Sequence, residues 1–233
     1  MTQPKVAIFL DLETTGLYAN APGADILEIG MLAVSVPAFR EIDSFQSLVV
    51  EHDRLADPLK GCDDFVRKMH AENGLLADLQ RAIEASRRTP PAPLPRYLDV
   101  QQKAIQFYLK HAAGERVYLC GAKPSFDRSW LDVKMPQLAK KWHYRDFDTN
   151  AFFILREYLF GAEKCGQRHR VLDDCRQAVK AVHEHFDLMK KLFGKRPAHE
   201  VSALMAAIHA LGQFPGSGAR DAADGLRALL GTK

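Results

Sequence analysis

Asp11 and Glu13 stand two residues apart at the end of a short apolar run, in the string Asp11-Leu12-Glu13-Thr14-Thr15-Gly16-Leu17. On an extended strand, side chains at i and i+2 share one face, so the two carboxylates project together. Carboxylates held that close repel unless a cation lies between them. Mg²⁺ and Mn²⁺ are hard cations that take oxygen ligands, commonly one or two carboxylates plus substrate phosphate oxygens. The pattern makes the pair a candidate divalent-metal site, the other reading being a strand end whose acids cap a turn. Gly16 lets the backbone approach such a ligand closely.

Two further acids join them. Asp127 follows the turn Gly121-Ala122-Lys123-Pro124, just past a second apolar run at residues 117–120. Ligand sites in α/β sheets gather at the carboxyl ends of strands, where Asp11 and Glu13 also fall. Taken alone, Asp127 also reads as a helix N-cap, a role that can coexist with ligation. His169-Arg170-Val171-Leu172-Asp173-Asp174 opens the longest amphipathic segment, residues 171–192. At ~100° per residue, Val171, Cys175, Ala178, Val182, Phe186 and Met189 form one apolar stripe. Asp173 points away from it, beside Lys180, Glu184 and Asp187, and reads as solvated. Asp174 lies at the stripe's edge, where a carboxylate can meet a sheet. His169, in a polar loop ahead of the helix, becomes a candidate base.

The elements that must position these residues follow from periodicity. Residues 6–10, 26–36 and 41–50 read as strands, the last two as an antiparallel continuation of the first. Residues 65–87 carry two helices separated near Asn73-Gly74. The proline-rich stretch 89–95 cannot lie inside a helix and reads as a stiff connection. Residues 97–113 form a helix and residues 116–120 a strand. Residues 130–142 are helical, interrupted by Pro136. A short strand at 144–148 and a helix at 151–160 precede the 171–192 helix. Three strands followed by strand–helix alternation predict a layered α/β domain. We expect that domain at residues 1–195 and a helical extension at 196–233.

Composition narrows the class. The chain has 233 residues, 47% hydrophobic and 26% charged, enough for a sizeable core and unlike a disordered chain. A net charge of +3 is too mild for a nucleic-acid-coating tail but permits local basic patches. No apolar run nears the ~20 residues of a membrane span, and the run ending at Asp11 is too short for a signal-peptide core. The four cysteines form no CxxC pair and no zinc spacing, which predicts a reduced, cytoplasmic compartment. His183-Glu184-His185 resembles a metal motif, but on a helix the two imidazoles point ~160° apart, so these read as residues of a solvated face. Gly216-Ser217-Gly218 reads as a connector. Lys140-Lys141 and Lys190-Lys191 with Lys195-Arg196 read as solvated charge, with contact to a nucleic-acid backbone as the alternative, and Trp130 and Trp142 read as packing residues.

The dispersed strings together resemble the DEDDh 3′–5′ exonuclease superfamily, and within it most of all the oligoribonucleases, over roughly residues 5–192. The resemblance is carried by Asp11 and Glu13, Asp127, and His169 with Asp174. It extends to Ile26-Leu27-Glu28-Ile29-Gly30, His70-Ala71-Glu72-Asn73-Gly74-Leu75, Lys134-Met135-Pro136-Gln137-Leu138 and His143-Tyr144-Arg145. It implies a ribonuclease H-like fold, a five-stranded mixed sheet flanked by helices. It implies two Mg²⁺ or Mn²⁺ ions ~4 Å apart, held directly or through water by Asp11, Glu13, Asp127 and Asp174, with His169 as general base.

The implied reaction releases nucleoside 5′-monophosphates from the 3′ end of short RNA. Thr14 and Gly16 would belong to the substrate site, Leu17 would wedge against the bases, and His70 would contact the terminal nucleotides. Tyr144 and Arg145 would cap the 5′ phosphate, the tyrosine reaching across a homodimer interface. Two cap positions that are serine in the family are Lys123 and Asn150 here. Lys123 retains phosphate binding as a point charge, and Asn150 can donate a hydrogen bond. These departures bear on length preference rather than on catalysis. A single-stranded DNA or general 3′–5′ exonuclease on the same site is the alternative, since a 2′-hydroxyl contact separates RNA from DNA. A non-catalytic nucleic-acid binder is disfavoured, because all five chemical positions are intact.

Overall fold

The computed structural model describes residues 5–160 and 169–193. Strands β1 (Lys5–Thr14), β2 (Ile26–Val36) and β3 (Arg40–Leu48) form an antiparallel meander. Strands β4 (Leu119–Gly121) and β5 (Asp146–Asp148) add in parallel on the other side of β1. The order is β3-β2-β1-β4-β5, a mixed five-stranded sheet. β2 is buried along most of its length, which accounts for its nearly unbroken apolar sequence. β3, at the edge, is largely exposed and carries Arg40, Glu41 and Asp43, charges that discourage pairing with another chain.

The helices are α1 (Asp64–Glu72), α2 (Leu75–Ser86), α3 (Tyr97–Ala112), α4 (Pro124–Lys134), α5 (Pro136–Ala139), α6 (Asn150–Phe160) and α7 (Val171–Phe193). The main core joins Ile8, Leu10, Ile29 and Met31 of the sheet to Val100, Ala104, Trp130 and Leu131 of the helices. Leu75, Leu79 and Ile83 of α2 close a smaller core with Leu27, Val50 and Leu59. Trp130 and Trp142 are buried, as packing residues should be.

Several boundaries differ from the sequence expectation. β1 does not stop at Leu10 but continues through Thr14, so both acids lie within a paired strand. α4 begins at Pro124, well before Trp130, because a proline at the first helical position costs no hydrogen bond. The N-cap is Lys123, at φ 65°, and Asp127 lies within the helix rather than capping it. The buried stripe of α7 runs from Val171 to Val182, while Phe186 is 47% exposed.

The described residues fall into two units. The sheet, α1 to α5 and the first turns of α7 make one; α6 and α7 from Lys180 belong to the other. Within the second, the His185 ring stacks on Phe152 at 4.2 Å, so His185 is a packing residue rather than part of a solvated face. The expected extension at 196–233 and the Gly216-Ser217-Gly218 connector lie outside the described residues. Among the described residues no helix is long and apolar enough to cross a membrane.

The loop that follows β1 is pinned from behind. Arg54, 2% exposed, donates from Nε to Asp25 (2.5 Å) and from its terminal nitrogens to the carbonyls of Gly23 (2.7 Å) and Lys60 (2.5 Å). The Tyr97 hydroxyl donates to Asp25 (2.5 Å) and accepts from the Ile26 amide (2.7 Å). A buried arginine with charged and carbonyl acceptors on each side fixes the chain leaving the acidic motif.

Candidate active site

The carboxyl end of β1 carries Asp11 and Glu13. Its parallel neighbour β4 stops at Gly121, so the Leu12 amide takes a different acceptor, the Asp127 carboxylate at 3.1 Å. That bond ties α4 to the middle of the acidic motif. On the other side, β2 places Gly30 opposite Asp11. A Cβ on Gly30 would lie 2.6 Å from Cβ and Cγ2 of Val171, so α7 starts directly against bare backbone. This close approach delivers the head of α7. Donor atoms of Glu13, His169 and Asp174 all lie within 4.8 Å of one another. Asp174 is 8% exposed, whereas the side chain of neighbouring Asp173 is 43% exposed and lies 4.0 Å from Arg176.

The electrostatics are those of crowded acids. Burial pushes the Asp11 carboxyl well above its usual range, and Asp127, Glu13, Asp174 and Glu28 add to the shift. Burial, then the Asp174 and Glu28 charges, raise Glu13 to about 8; Arg170 opposes them. Burial likewise raises Asp127, against the Leu12 hydrogen bond that favours its ionised form. Such a set favours either shared protons or a multivalent cation. Oxygen-rich donors with one imidazole suit a hard divalent ion, so the residues fit the metal that the sequence implies.

His70 is fully buried. Its Nε2 donates to the Thr14 carbonyl at 3.1 Å, and its Nδ1 lies 3.9 Å from Glu13. Because a carbonyl only accepts, Nε2 must carry the proton. Burial lowers the pKa of the ring, which keeps it neutral. The structure thus places His70 behind Thr14 and Glu13 rather than in the open. Thr14 folds back, its hydroxyl donating to the Gly16 carbonyl at 2.8 Å. Leu17 and Tyr144 stand 72% and 74% exposed. Arg145 stacks on the Tyr144 ring at 5.2 Å. Lys123 is exposed, and its amide donates to Asp148 at 3.0 Å. Asn150 opens α6, in the second unit.

Three residues at the site had no role in the sequence reading: Glu28, Asn73 and Arg170. Arg170 grips Glu28 from Nε (3.2 Å) and a terminal nitrogen (2.9 Å) and also reaches Asp78 at 2.8 Å. The available signal was a glutamate inside an apolar strand, since a buried carboxylate requires a partner.

The oligoribonuclease of Haemophilus influenzae is 30% identical over 187 residues, 77% of this chain and 93% of that protein. The chain belongs to the oligoribonuclease family. The oligoribonuclease of Leifsonia xyli subsp. xyli is 28% identical over 182 residues, covering 75% of this chain and 79% of that protein. No family model matches the chain. Among solved structures, the nuclease domain of 3′hExo, a DEDDh family member bound to rAMP, aligns with TM-score 0.50 at 15% identity. The alignment covers 80% of this chain and 94% of that one. A 3′-exonuclease described in 3′-end-specific recognition of histone mRNA stem-loop aligns with TM-score 0.53 at 16% identity, covering 79% and 65%. The mixed sheet flanked by helices is thus shared with DEDDh nucleases, and the oligoribonuclease sequence pattern sits on it.

Proposed function

We propose that this chain is a 3′–5′ exoribonuclease that hydrolyses short RNA to nucleoside 5′-monophosphates with two divalent ions. Membership of the oligoribonuclease family makes it a metal-dependent 3′–5′ exonuclease. The observation that carries the finer reading is the convergence of Glu13, Asp174 and His169 within 4.8 Å, in a cluster of carboxylates pushed toward protonation.

Asp11, Glu13, Asp127 and Asp174 would hold the ions. When bound, the metals supply charge neutralisation at the attacking and leaving oxygens of an in-line displacement. A ring nitrogen of His169 takes the proton of the attacking water, work suited to an imidazole near neutral pH. Thr14 and Gly16 line the backbone side of the substrate, with His70 bracing Thr14 from behind. Leu17 wedges against the bases. Lys123, Asn150, Tyr144 and Arg145 form the cap over a 5′ phosphate, Tyr144 serving the partner subunit of a homodimer. Residues 1–195 act as the nuclease domain and 196–233 as an extension. The described cysteines Cys62, Cys120 and Cys175 are free thiols, in keeping with action in the cytoplasm.

The deciding experiment follows turnover of 5′-labelled RNA and DNA, from two to about twenty-four nucleotides, with Mg²⁺ or Mn²⁺. Preferred shortening of di- to pentaribonucleotides supports the reading. Equal rates on long DNA would replace it with a general 3′–5′ exonuclease. In the same assay, His169→Ala should retain metal and substrate binding and lose ~10²–10⁴-fold in turnover. A collapse of metal affinity instead would make His169 a ligand.

A further inference from the structure

His169 has φ 53°, a left-handed conformation that a non-glycine residue holds only where its surroundings enforce it. Two contacts do so. The Asn73 side-chain amide donates to the His169 carbonyl at 2.5 Å. Its other hydrogen faces Nδ1 of His70 at 3.5 Å, and its oxygen accepts from the Leu75 amide at 2.9 Å. The orientation of this amide is therefore fixed at all three positions, and Asn73 is itself anchored at the α1–α2 corner beside Gly74, at φ 85°. On the other flank, Arg170 forks onto Glu28, which is 1% exposed, and bridges to Asp78 of α2. The Gln46 amide donates to the same Glu28 at 2.8 Å, so the fork's anchor is held on both sides.

We propose that Asn73 and the Arg170–Glu28 pair are positioning residues, a two-sided clamp that sets the backbone of His169 and so aims its imidazole over the acids. This rests on His169 as the general base. None of the three is assigned contact with the reacting atoms. A misplacement of a catalytic group by ~1 Å is enough to cost ~10²-fold, so a clamp on one residue has leverage on rate.

The test is a double-mutant cycle, which isolates an effect exerted through one partner. Asn73→Ala in the otherwise unchanged enzyme should lower kcat ~10-fold or more with KM and metal half-saturation nearly constant. In a His169→Ala background the same change should cost less than ~2-fold, because there is no imidazole left to aim. Arg170→Gln combined with Glu28→Gln, which leaves no buried charge unpaired, should behave the same way and provides the second arm if Asn73→Ala does not fold. A readout independent of turnover is amide hydrogen exchange in the metal-free protein: the amides of residues 169–171 should exchange ~10-fold faster in either variant. Equal losses in both backgrounds, no loss in the first, or unchanged exchange would each overturn the clamp. If His169→Ala alone leaves kcat unchanged, the general-base assignment fails first, and the exchange arm still reports on the clamp.

Discussion

Burial and then the Asp174 and Glu28 charges raise Glu13 to about 8, above its range in an unfolded chain. The folded state therefore binds this proton more tightly than the unfolded one, and Asp11 and Asp127 shift the same way. A group with a raised folded pKa stabilises below its unfolded pKa, and that contribution is lost as pH rises through the folded value. In a chelator, the thermal midpoint should fall between pH ~5 and about 8. Glu13→Gln should flatten that slope, and saturating Mg²⁺ should restore stability at the alkaline end. A chelated protein whose melting ignores pH over this range would contradict the crowded-acid picture. Asp11→Ala and Glu13→Ala should each abolish cleavage yet melt no lower than the parent in chelator, since removing one carboxylate relieves repulsion. The two neighbouring aspartates of α7 differ in burial, 8% against 43% for the Asp173 side chain. Asp174→Ala should accordingly cost ~10²-fold or more in kcat and Asp173→Ala less than ~3-fold, the second being a surface change. Equal losses would count against the assignment.

At the level of elements, much of the sheet was legible because β2 and β3 are long enough for their pattern to show, and the α1–α2 break was marked by Asn73-Gly74. β4 and β5 span three residues each, too short for periodicity to bound them. The start of α4 was hidden because Lys123 enters it with a positive φ while Pro124 reads equally as turn or first helical residue. The four candidate acids were legible as strings because each lies within a few residues of an element end that composition marks. The links from Asn73 to His169 and from Arg170 to Glu28 span 96 and 142 residues, and no local pattern announces them. Nor can an α1 sequence say that His70 faces inward. The spacing between β2 and α7 is set by Gly30. Gly30→Ala puts a methyl 2.6 Å from Val171 and must push the head of α7 outward. The expected result is a folded protein with metal half-saturation raised ~10-fold or more, the scale of losses from disturbing a metal site's supporting residues. Pairing it with Val171→Ala should recover part of the loss, and metal titration of the three variants checks this.

For the whole molecule, the proposed cap would tie activity to assembly. If Tyr144 serves a partner's site, the active unit is a C₂ dimer, the commonest closed arrangement. A cap on the 5′ phosphate would make charge-assisted hydrogen bonds that only a short substrate could complete with its 3′ end at the acids. Lys123→Ala or Arg145→Ala should raise KM for 5′-phosphorylated dinucleotides ~10-fold or more and change 20-mers less than ~2-fold. Omitting the 5′ phosphate should reproduce the effect in the unmodified enzyme. A fully active monomer in sedimentation would remove the cap. The order of elements along the chain has a consequence in time. β1 receives β2 as its first neighbour, but β4 and the head of α7 arrive only after residue 119 and residue 171 have been made. If the proposed ligand set holds, a nascent chain carries Asp11 and Glu13 for most of its synthesis with two of the four acids, and the last, Asp174, appears late. On the proposed reading the site would be complete only once translation has passed that acid, and the timing is written in the order of the codons.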